Sequence, residues 1–334
     1  MASNTWINMT ISREITLAVC VYNGEKYMAD TLACIAAQTL RTFDLLIVDD
    51  CSTDGTVRVI ADYFKKSPGD YRLIRLEKNG GIAHARQVAL EQAKTPYLLF
   101  VDADDLPHKT LVEKEYRLIS SDKNIMGVSS WLEYIDVSGE KLPGGQFMGD
   151  KTKEEFMLRA SRGKLIFLPI QTMFDRQAAL DAGGFRLDGF PEGKPRYRDF
   201  CEDLDLWTRM SDLYAQGRYM VSIPEVLYSY RKGNTGLSSN TSVMILKIKY
   251  VKANLRLRRA GKSEFTFVDF YDSLSEKELK EIKKEAIAAD ELRNGVFYLK
   301  RGKIGKGVAH IVRSAYSRPG YIWQKIKKNS GLFK

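Results

Sequence analysis

The sequence predicts an α/β fold: a mixed, mainly parallel sheet flanked by helices, with a helical appendage at the C-terminal end. Two observations lead to this prediction. Short apolar runs alternate with helical patterns through the first third of the chain, which is typical of successive βαβ units and a parallel sheet. Acidic residues directly follow two of these runs, and ligands of such sheets bind beyond the carboxyl ends of the strands.

Four strands are predicted, and a helical pattern follows each of the first three. Each strand is a run rich in Val, Ile, Leu and Phe, and the second helix places Val57, Ile60 and Phe64 on one face. The fourth strand leads into acidic residues, and we expect a helix after Pro107. The predicted strands are residues 15–22, 43–50, 71–78 and 97–102, and the helical patterns are residues 25–38, 53–66 and 80–94.

The composition is that of a folded globular protein: of the 334 residues, 44% are hydrophobic and 28% are charged. No apolar run reaches the roughly 18 residues that a membrane-spanning helix needs. The N-terminal residues lack the pattern of a signal peptide, so we expect none. The cysteines Cys20, Cys34, Cys51 and Cys201 have no metal-binding spacing, and we expect free thiols in a reducing cytoplasm.

Three carboxylates follow the fourth strand: Asp102, Asp104 and Asp105 in the segment FVDADDLP. Carboxylates this close repel one another unless a positive group lies among them. In an extended conformation, Asp102 and Asp104 would project to the same side of the chain, where two carboxylates suit a hard divalent cation such as Mg²⁺ or Mn²⁺. The alternative is that these acids cap the following helix, a role open to Asp105 in particular.

Five segments taken together indicate a family. They are VCVYNGEKYMADTLACIAAQT, LIVDDCSTDGT, KNGGIAHARQVAL, FVDADD and CEDLDLWTRM. In this order and spacing they resemble family 2 nucleotide-sugar glycosyltransferases of the GT-A fold, which is a Rossmann-like architecture, over roughly residues 13 to 235. Each motif alone is a weak signal, but the set is specific.

The resemblance implies a nucleotide-sugar site at the strand ends. Tyr22 corresponds to a residue that stacks on or hydrogen-bonds the nucleobase, and Asp50 to an aspartate that accepts the imide N–H of uracil or thymine. Asn79 and Gly80 lie in a turn that permits close approach of the backbone. Arg86 corresponds to an arginine near the donor sugar and diphosphate, with a surface ion pair as the alternative.

The resemblance also implies an inverting transfer that depends on Mn²⁺ or Mg²⁺. Asp104 would hold the cation, and Asp102 would contact the cation or the ribose, which stabilises the charge that develops on the leaving diphosphate. Asp203 corresponds to the catalytic base, which deprotonates the acceptor hydroxyl. Glu202 would orient the acceptor or a neighbouring backbone group, and Asp205 would be a surface or capping residue.

We predict a catalytic domain over residues 13–240 and an appendage over residues 241–334. Within the catalytic domain, residues 13–110 would bind the nucleotide sugar and residues 111–240 would form the acceptor side. The second half contains a Gly- and Pro-rich segment, residues 186–200, which reads either as a mobile surface loop or as a lid over the substrates. Its basic residues are Lys194, Arg196 and Arg198.

Basic charge is concentrated in the appendage, which has 22 Lys and Arg against nine Asp and Glu and no acidic residue after Glu291. Two helical segments are expected there, and Ser275 with Glu278 forms a capping box for the second. The final segment combines Trp323 and Phe333 with lysines and would bind an anionic membrane surface. The alternative is packing on the catalytic domain with exposed lysines. No nucleic-acid-binding motif is present, so we expect no nucleic-acid partner.

The sequence therefore predicts a transferase that uses a UDP-sugar, or alternatively a dTDP-sugar, and a bacterial cell-surface glycan or lipid-linked acceptor, as in lipopolysaccharide or capsule synthesis. The QxxRW motif and membrane helices of processive members are absent from the sequence, which favours transfer of one or a few sugars. We expect a cytoplasmic enzyme, peripheral on the inner face of the plasma membrane. Two alternatives stay open. A nucleotidyltransferase would have a Gly-rich, Lys-bearing loop where this chain has YNGEKYM, and a non-catalytic nucleotide-sugar-binding module would not need Glu202 and Asp203.

Overall fold

One mixed sheet organises the molecule. The computed structural model of the chain describes residues 13–189, 199–233, 240–323 and 325, and within these residues nine strands form the sheet. The strands are β1 (Ile15–Val21), β2 (Phe43–Asp49), β3 (Arg72–Arg75), β4 (Tyr97–Asp102), β5 (Leu106–Pro107), β6 (Ile125–Ile135), β7 (Lys141–Gln146), β8 (Met173–Asp175) and β9 (Tyr219–Arg231).

Helices flank the sheet and continue beyond it toward the C-terminal end. They are α1 (Met28–Ala36), α2 (Thr56–Lys66), α3 (Ile82–Gln92), α4 (Leu111–Ile119), α5 (Lys153–Ser161), α6 (Arg176–Asp181), α7 (Glu202–Met210), α8 (Thr241–Arg259), α9 (Phe267–Asp272), α10 (Glu276–Lys300) and α11 (Ile304–Ser317). The first three helices begin within a few residues of their predicted positions.

The strand order is β3-β2-β1-β4-β8-β6-β9-β5, with β7 paired to β6. β1 to β4 are mutually parallel, as the sequence predicts, whereas β8 is antiparallel to β4. The chain therefore moves outward from β1 to β3 and then returns to place β4 on the other side of β1. Such a reversal of strand order opens a crevice beyond the carboxyl ends of β1 and β4.

The central strands form because their side chains are buried on both faces. All seven residues of β1 are buried, and so are the four middle residues of β4. Strands covered by helices on both faces need such continuous apolar runs, which makes these strands recognisable from the sequence. The same burial fixes the positions of the polar residues that follow each strand.

The C-terminal helices pack on the rest of the molecule through a second apolar core. In this core Leu165 and Leu204 meet Tyr250 and Leu255 of α8, together with residues of α9 and α10. The capping box at Ser275 is present at the start of α10, as predicted. The predicted domain boundary before α8 stays a prediction. All four cysteines are free thiols. Within the described residues, every helix is too short or too polar to span a bilayer.

Candidate active site

The residues predicted to bind the donor lie at one edge of the sheet. β1 pairs in parallel with β2 and β4, in a register that brings their carboxyl ends to the same edge. Tyr22 and Asp50 directly follow the first two strands, and Asp102 is the last residue of β4. Tyr22 is 41% exposed, whereas Asp50 is buried.

Backbone strain concentrates at this edge. Within the described chain, three non-glycine residues have positive φ: Asn23 at 54°, Cys51 at 63° and Cys201 at 54°. Each is the immediate chain neighbour of a candidate site residue. Left-handed conformations of such residues cost on the order of 1–3 kcal/mol and persist where the surroundings fix them. Here the Asn23 Oδ1 accepts a hydrogen bond from the Thr53 N–H at 2.9 Å, which joins two of the loops.

The Asp50 carboxylate fixes the turn that precedes α3. Its Oδ1 accepts from the Gly80 N–H at 2.7 Å and its Oδ2 from the Gly81 N–H at 2.8 Å, while Asn79 Nδ2 donates to the Asp50 carbonyl. Gly81 has φ of 86°, and a Cβ there would lie 2.5 Å from the Asp199 carboxylate, so this position requires glycine. The structure thus brings Asp50, Asn79 and Gly80 together, as the sequence predicts. Recognition of the base by Asp50 stays a prediction.

Arg86 connects two acidic motifs that lie far apart in the chain. It extends from α3, is buried, and donates from Nη2 to the Asp102 Oδ1 at 2.6 Å and from Nη1 to the Glu202 Oε1. Burial alone would lower the pKa of Arg86, but the two carboxylates outweigh it and raise that pKa, so the guanidinium stays charged. The alternative of a surface ion pair for Arg86 is therefore wrong.

The acids at the start of α7 have raised pKa values. Burial raises the pKa of Glu202 to about 8, since the attraction of Arg86 offsets this only in part and Asp203 adds repulsion. Burial also raises the pKa of Asp203, again with a partial offset from Arg86. The Asp203 Oδ1 accepts from the Leu204 N–H at 2.7 Å. Raised carboxylate pKa values in a crevice are typical of functional sites, because they favour proton uptake.

The acidic segment after β4 differs from the extended form that the sequence predicts. Asp102 ends the strand, Ala103 and Asp104 form a turn, and the Asp105 N–H donates back to the Asp102 carbonyl at 3.1 Å. These acids do not cap the next helix either, because α4 begins only at Leu111. Asp105 is instead buried, and its Oδ1 accepts from the backbone N–H of Arg231 at 2.7 Å. The extended conformation and the helix-capping role are therefore both wrong, whereas metal binding by Asp102 and Asp104 stays a prediction.

Arg231 is a residue of this site that the sequence analysis did not identify. Its Nε donates to the Asp104 carbonyl at 2.8 Å, its guanidinium lies 4.5 Å from the ring centre of Tyr27, and its Nη1 donates to the Asp136 carbonyl. It therefore fixes the turn that presents Asp104. No short motif marks it, since it ends the long strand β9 and reaches its partners only through the sheet.

The residues present fit a divalent cation at this turn. Asp104 lies exposed at the surface of the crevice, yet the surrounding protein desolvates its carboxylate and, with repulsion from Asp102, raises its pKa to about 6. A cation would relieve this repulsion. No group of three or more His, Cys, Asp or Glu ligands occurs in the part of the chain that the structure describes. A two-carboxylate set suits a metal ion that keeps positions for phosphate oxygens and water.

Asp205 is not the surface or capping residue that the sequence predicts. It is buried, and its Oδ2 pairs with the Arg209 Nε at 2.9 Å and the Arg186 Nε at 3.4 Å. Arg186 also donates to the hydroxyl of Tyr250 on α8. Lys247 of α8 is buried beside these ion pairs. Together these contacts fix α7 against α8. Lys194, Arg196 and Arg198 of the predicted loop or lid lie outside the described residues.

Comparison with known proteins places the chain in a family. The profile described as "Glycosyl transferase family 2" matches residues 16–182, half of the chain. The chain belongs to glycosyltransferase family 2. It is therefore a glycosyltransferase, which confirms the predicted family and decides against the nucleotidyltransferase and the non-catalytic binding module.

Several relatives of this family 2 enzyme are named for teichoic acid, teichuronic acid or poly(ribitol-phosphate). The putative teichuronic acid biosynthesis glycosyltransferase TuaG of Bacillus subtilis is 27% identical over 258 residues, which covers 77% of this chain and 94% of TuaG. The poly(ribitol-phosphate) β-N-acetylglucosaminyltransferase TarS of Staphylococcus aureus is 32% identical over 170 residues, 50% of this chain. The match covers only 28% of the length of TarS. A Staphylococcus epidermidis teichoic acid poly(glycerol phosphate) polymerase is 41% identical over 28% of this chain, and that match covers 13% of the polymerase.

Solved structures share the fold of this family 2 enzyme. The crystal structure of S. aureus TarS 1-349 in complex with UDP-GlcNAc has a TM-score of 0.52 at 20% identity and covers 91% of both chains. The mannosyltransferase PcManGT from Pyrobaculum calidifontis in complex with GDP-Man and Mn²⁺ has a TM-score of 0.52 at 18% identity, over 95% of this chain and 89% of that one. These are GT-A glycosyltransferases, so the predicted fold class is confirmed.

Proposed function

We propose that this glycosyltransferase moves a sugar from a UDP-sugar, or alternatively a dTDP-sugar, to a hydroxyl of a bacterial cell-surface glycan or lipid-linked oligosaccharide, with inversion at the anomeric carbon. The main support is the contact of Arg86 with both Asp102 and Glu202, because it unites the donor-side and acceptor-side motifs at one crevice. Asp203, the proposed base, is the next residue after Glu202.

The donor half of the proposal uses the loops beyond β1 and β2. The nucleobase would lie on Tyr22, whose ring is part-exposed at the crevice. Asp50, whose carboxylate holds the Gly80 and Gly81 N–H groups, would accept the imide N–H of the base. The Asn79–Gly80 turn would let the backbone approach the nucleotide.

The diphosphate would lie toward Asp104 and Arg86. Asp104, with Asp102, would hold Mn²⁺ or Mg²⁺, which supplies Lewis-acid stabilisation of the leaving diphosphate when bound. Arg86 keeps its positive charge in a buried position near Asp102 and would add a fixed charge beside the same leaving group. Arg231 would keep Asp104 in place through its bond to the Asp104 carbonyl.

Asp203 would take the proton of the acceptor hydroxyl as that oxygen attacks the anomeric carbon. Burial raises the pKa of Asp203 toward the working range of a general base. Attack on the side opposite the leaving diphosphate inverts the configuration, so an α-linked donor gives a β-linked product. Glu202, paired with Arg86, would hold α7 in register with the donor site and orient the acceptor.

The names of the relatives direct the choice of substrates. TarS is named as a β-N-acetylglucosaminyltransferase, and its structure contains UDP-GlcNAc, so UDP-GlcNAc is the first donor to test. TuaG is named for teichuronic acid biosynthesis and TarS for poly(ribitol-phosphate), which supports a glycan or polyol-phosphate acceptor.

The experiment is a donor screen. Purified protein is incubated with UDP-, dTDP- and GDP-sugars, with Mn²⁺, with Mg²⁺ or with EDTA, and nucleoside diphosphate release is measured. We expect release from one or a few UDP- or dTDP-sugars, lost in EDTA and restored by metal. Release from GDP-sugars alone, or undiminished release in EDTA, would contradict the donor or the metal part. Proton NMR of the first-formed product then reports the anomeric configuration, and a retained configuration would overturn inversion.

A further inference from the structure

Four apolar side chains of α11 form an exposed stripe. Ile304, Val308, Val312 and Tyr316 are four residues apart and are 67%, 49%, 61% and 90% exposed. Each four-residue step advances around a helix by about 40°, so the stripe covers a sector of about 120°. A helix of a globular protein normally turns a sector of this width toward its core, and here it faces outward.

The opposite side of α11 is fixed to α10. A Cβ at Gly307 would touch the Leu299 side chain, and the Ser314 Oγ donates to the Ala288 carbonyl at 2.7 Å. The His310 Nδ1 lies 2.7 Å from a carboxylate oxygen of Glu291. These contacts set the rotation of α11 about its axis, so the stripe cannot turn onto α10 without breaking them.

Basic residues border the stripe without any acidic residue among them. By helical spacing, Lys306 and Arg313 occupy the sector between the stripe and the face that packs on α10. The sequence contains eleven Lys and Arg and no Asp or Glu from residue 292 to residue 334. Trp323, which follows α11, is 70% exposed, and Trp and Tyr are favoured at the level of lipid head groups.

We propose that the stripe of α11 docks this enzyme on an anionic membrane surface, with Ile304, Val308, Val312 and Tyr316 in the head-group region and Lys306 and Arg313 on the phosphates. An outward apolar sector next to a basic sector is the pattern of a helix that lies in the membrane interface. A second copy of this chain fits less well. An antiparallel two-fold contact through the same face would bring the two basic sectors together, and like charges placed opposite one another oppose association.

The docking surface is connected to the crevice. α11 packs on α10, and the Arg293 Nη2 of α10 donates to the Thr241 Oγ1 at 3.1 Å, at the start of α8. α8 in turn shares an apolar core with Leu204 of α7, the helix that begins with the proposed base. A membrane-docked α11 would therefore hold the crevice at a fixed distance from the lipid surface, where a lipid-linked acceptor is found. The docking itself does not depend on the proposed reaction.

The test is cosedimentation of the full-length protein with vesicles. One set contains phosphatidylcholine alone and the other phosphatidylcholine with added phosphatidylglycerol. We expect binding to the anionic vesicles, weak binding to the neutral ones, and a steep loss as salt rises to about 0.5 M. Equal binding to both sets, or none to either, would overturn the proposal.

Matched variants locate the surface. Val308→Gln/Val312→Gln should weaken binding about tenfold or more, because two apolar side chains leave the interface. Lys306→Gln/Arg313→Gln should weaken binding by roughly thirtyfold at low salt, since each of the two basic residues contributes to the attraction to the anionic surface. The controls are Leu158→Gln, which alters an exposed apolar residue of α5, and Lys65→Gln/Lys66→Gln, which removes equal charge from the exposed last turn of α2.

The controls should bind like the wild type, and all variants should keep the wild-type thermal transition and donor hydrolysis. If the α11 variants bind as well as the controls, another surface is responsible and the proposal is wrong. Sedimentation velocity without vesicles should show a monomer. A dimer that the Val308→Gln/Val312→Gln pair dissociates, together with no vesicle binding, would instead assign the stripe to a second copy of this chain.

Discussion

Arg86 links the donor-side and acceptor-side acids through one guanidinium. A lysine keeps the charge but has a single ammonium group in place of a planar fork, so it cannot contact Asp102 and Glu202 in the same way. We expect Arg86→Lys to lower kcat by about tenfold to a hundredfold through misplacement of the two acids. The lost bond to a buried charge should also lower the free energy of unfolding by about 2 kcal/mol.

Turnover and denaturant unfolding check this prediction. The control is Arg58→Lys, because Arg58 is 74% exposed in its ion pair with Glu25, and exposed pairs contribute little. We expect near-wild-type values for it. If Arg86→Lys behaves like Arg58→Lys in both measurements, the link between the motifs has no functional role.

Asp104 can be removed with little effect on the fold, because its side chain is exposed while its backbone carbonyl makes the bond to Arg231. We expect Asp104→Ala to lose metal-dependent donor hydrolysis and to bind Mn²⁺ more weakly by calorimetry, with an unchanged melting temperature. Asp105→Ala is the contrast, since it removes the buried acceptor of the Arg231 N–H and should lower the melting temperature. Full activity of Asp104→Ala, or of metal-free wild type, would show that the reaction does not need the cation.

At the residue scale, the sequence predicts most residues of the candidate site and misses the residues that support them. Asp50, Arg86, Asp102 and Asp203 are recognisable because they lie in short segments with a known order. Arg231 and the buried pairing of Asp205 are not, because their partners are brought close only by the completed sheet and by α8.

At the scale of single elements, α4 shows how a buried acid ties a helix to the sheet. Glu115 is fully buried and accepts from the Ser130 Oγ of β6 and the Met173 N–H of β8. Burial raises the pKa of Glu115 well above its ordinary value, although both hydrogen bonds act in the opposite direction. At pH values between the pKa of Glu115 in the unfolded chain and its raised pKa in the folded protein, Glu115 is therefore protonated in the folded protein and ionised in the unfolded chain.

This raised pKa has a definite consequence for stability. Above the ordinary glutamate pKa of about 4.3, the unfolded state binds fewer protons at Glu115, so stability falls as the pH rises toward the folded-state pKa. Glu115→Gln removes this titration and keeps a polar group of the same shape. We expect the variant to gain free energy of unfolding relative to wild type, with a larger gain at pH 8 than at pH 5.

Urea unfolding of both proteins at the two pH values measures this gain. Glu113→Gln, which alters a partly exposed acid of the same helix, should show a smaller change between the two conditions. An equal or smaller gain for Glu115→Gln at pH 8 than at pH 5 would mean that Glu115 is ionised in the folded protein.

The elements also differ in how well the sequence predicts them. β1, β2 and β4 are mostly apolar runs, because helices cover both of their faces, whereas the edge strand β3 has an exposed arginine at each end. β6 and β9 are long and contain polar residues such as Ser129, Ser130 and Ser222 that are buried in the sheet, so their pattern resembles neither a buried strand nor a clean alternation. The turn at Ala103 and Asp104 depends on bonds to β9 and has no local signal.

At the scale of the whole molecule, the C-terminal helices are part of the packed structure. Leu165 and Leu204 lie in the same apolar core as α8, and a chain that ends after Asn240 would expose them. We expect that truncation to lower the melting temperature or to prevent folding. A chain that ends after Lys300 keeps α8, α9 and α10, and we expect it to retain donor hydrolysis while it loses binding to anionic vesicles.

Thermal melting, donor hydrolysis and cosedimentation of the two truncated proteins check this division. Wild-type stability after removal of residues 241–334 would mean that α8 does not stabilise the catalytic domain. Vesicle binding that persists without residues 301–334 would place the membrane contact elsewhere.

The overall charge pattern, a near-neutral catalytic part with a basic C-terminal part, follows from the sequence alone. The outward stripe of α11 does not, because it depends on which face packs on α10.

The central claim is that Asp203 is the base of an inverting transfer, and the kinetics of Asp203→Asn test it most directly. Asparagine keeps the shape of the side chain and the acceptor oxygen for the Leu204 N–H, but it cannot take a proton. We predict that kcat falls by on the order of 10² or more while the KM of the donor stays nearly unchanged. Near-normal turnover of Asp203→Asn would contradict the account and remove Asp203 from this role.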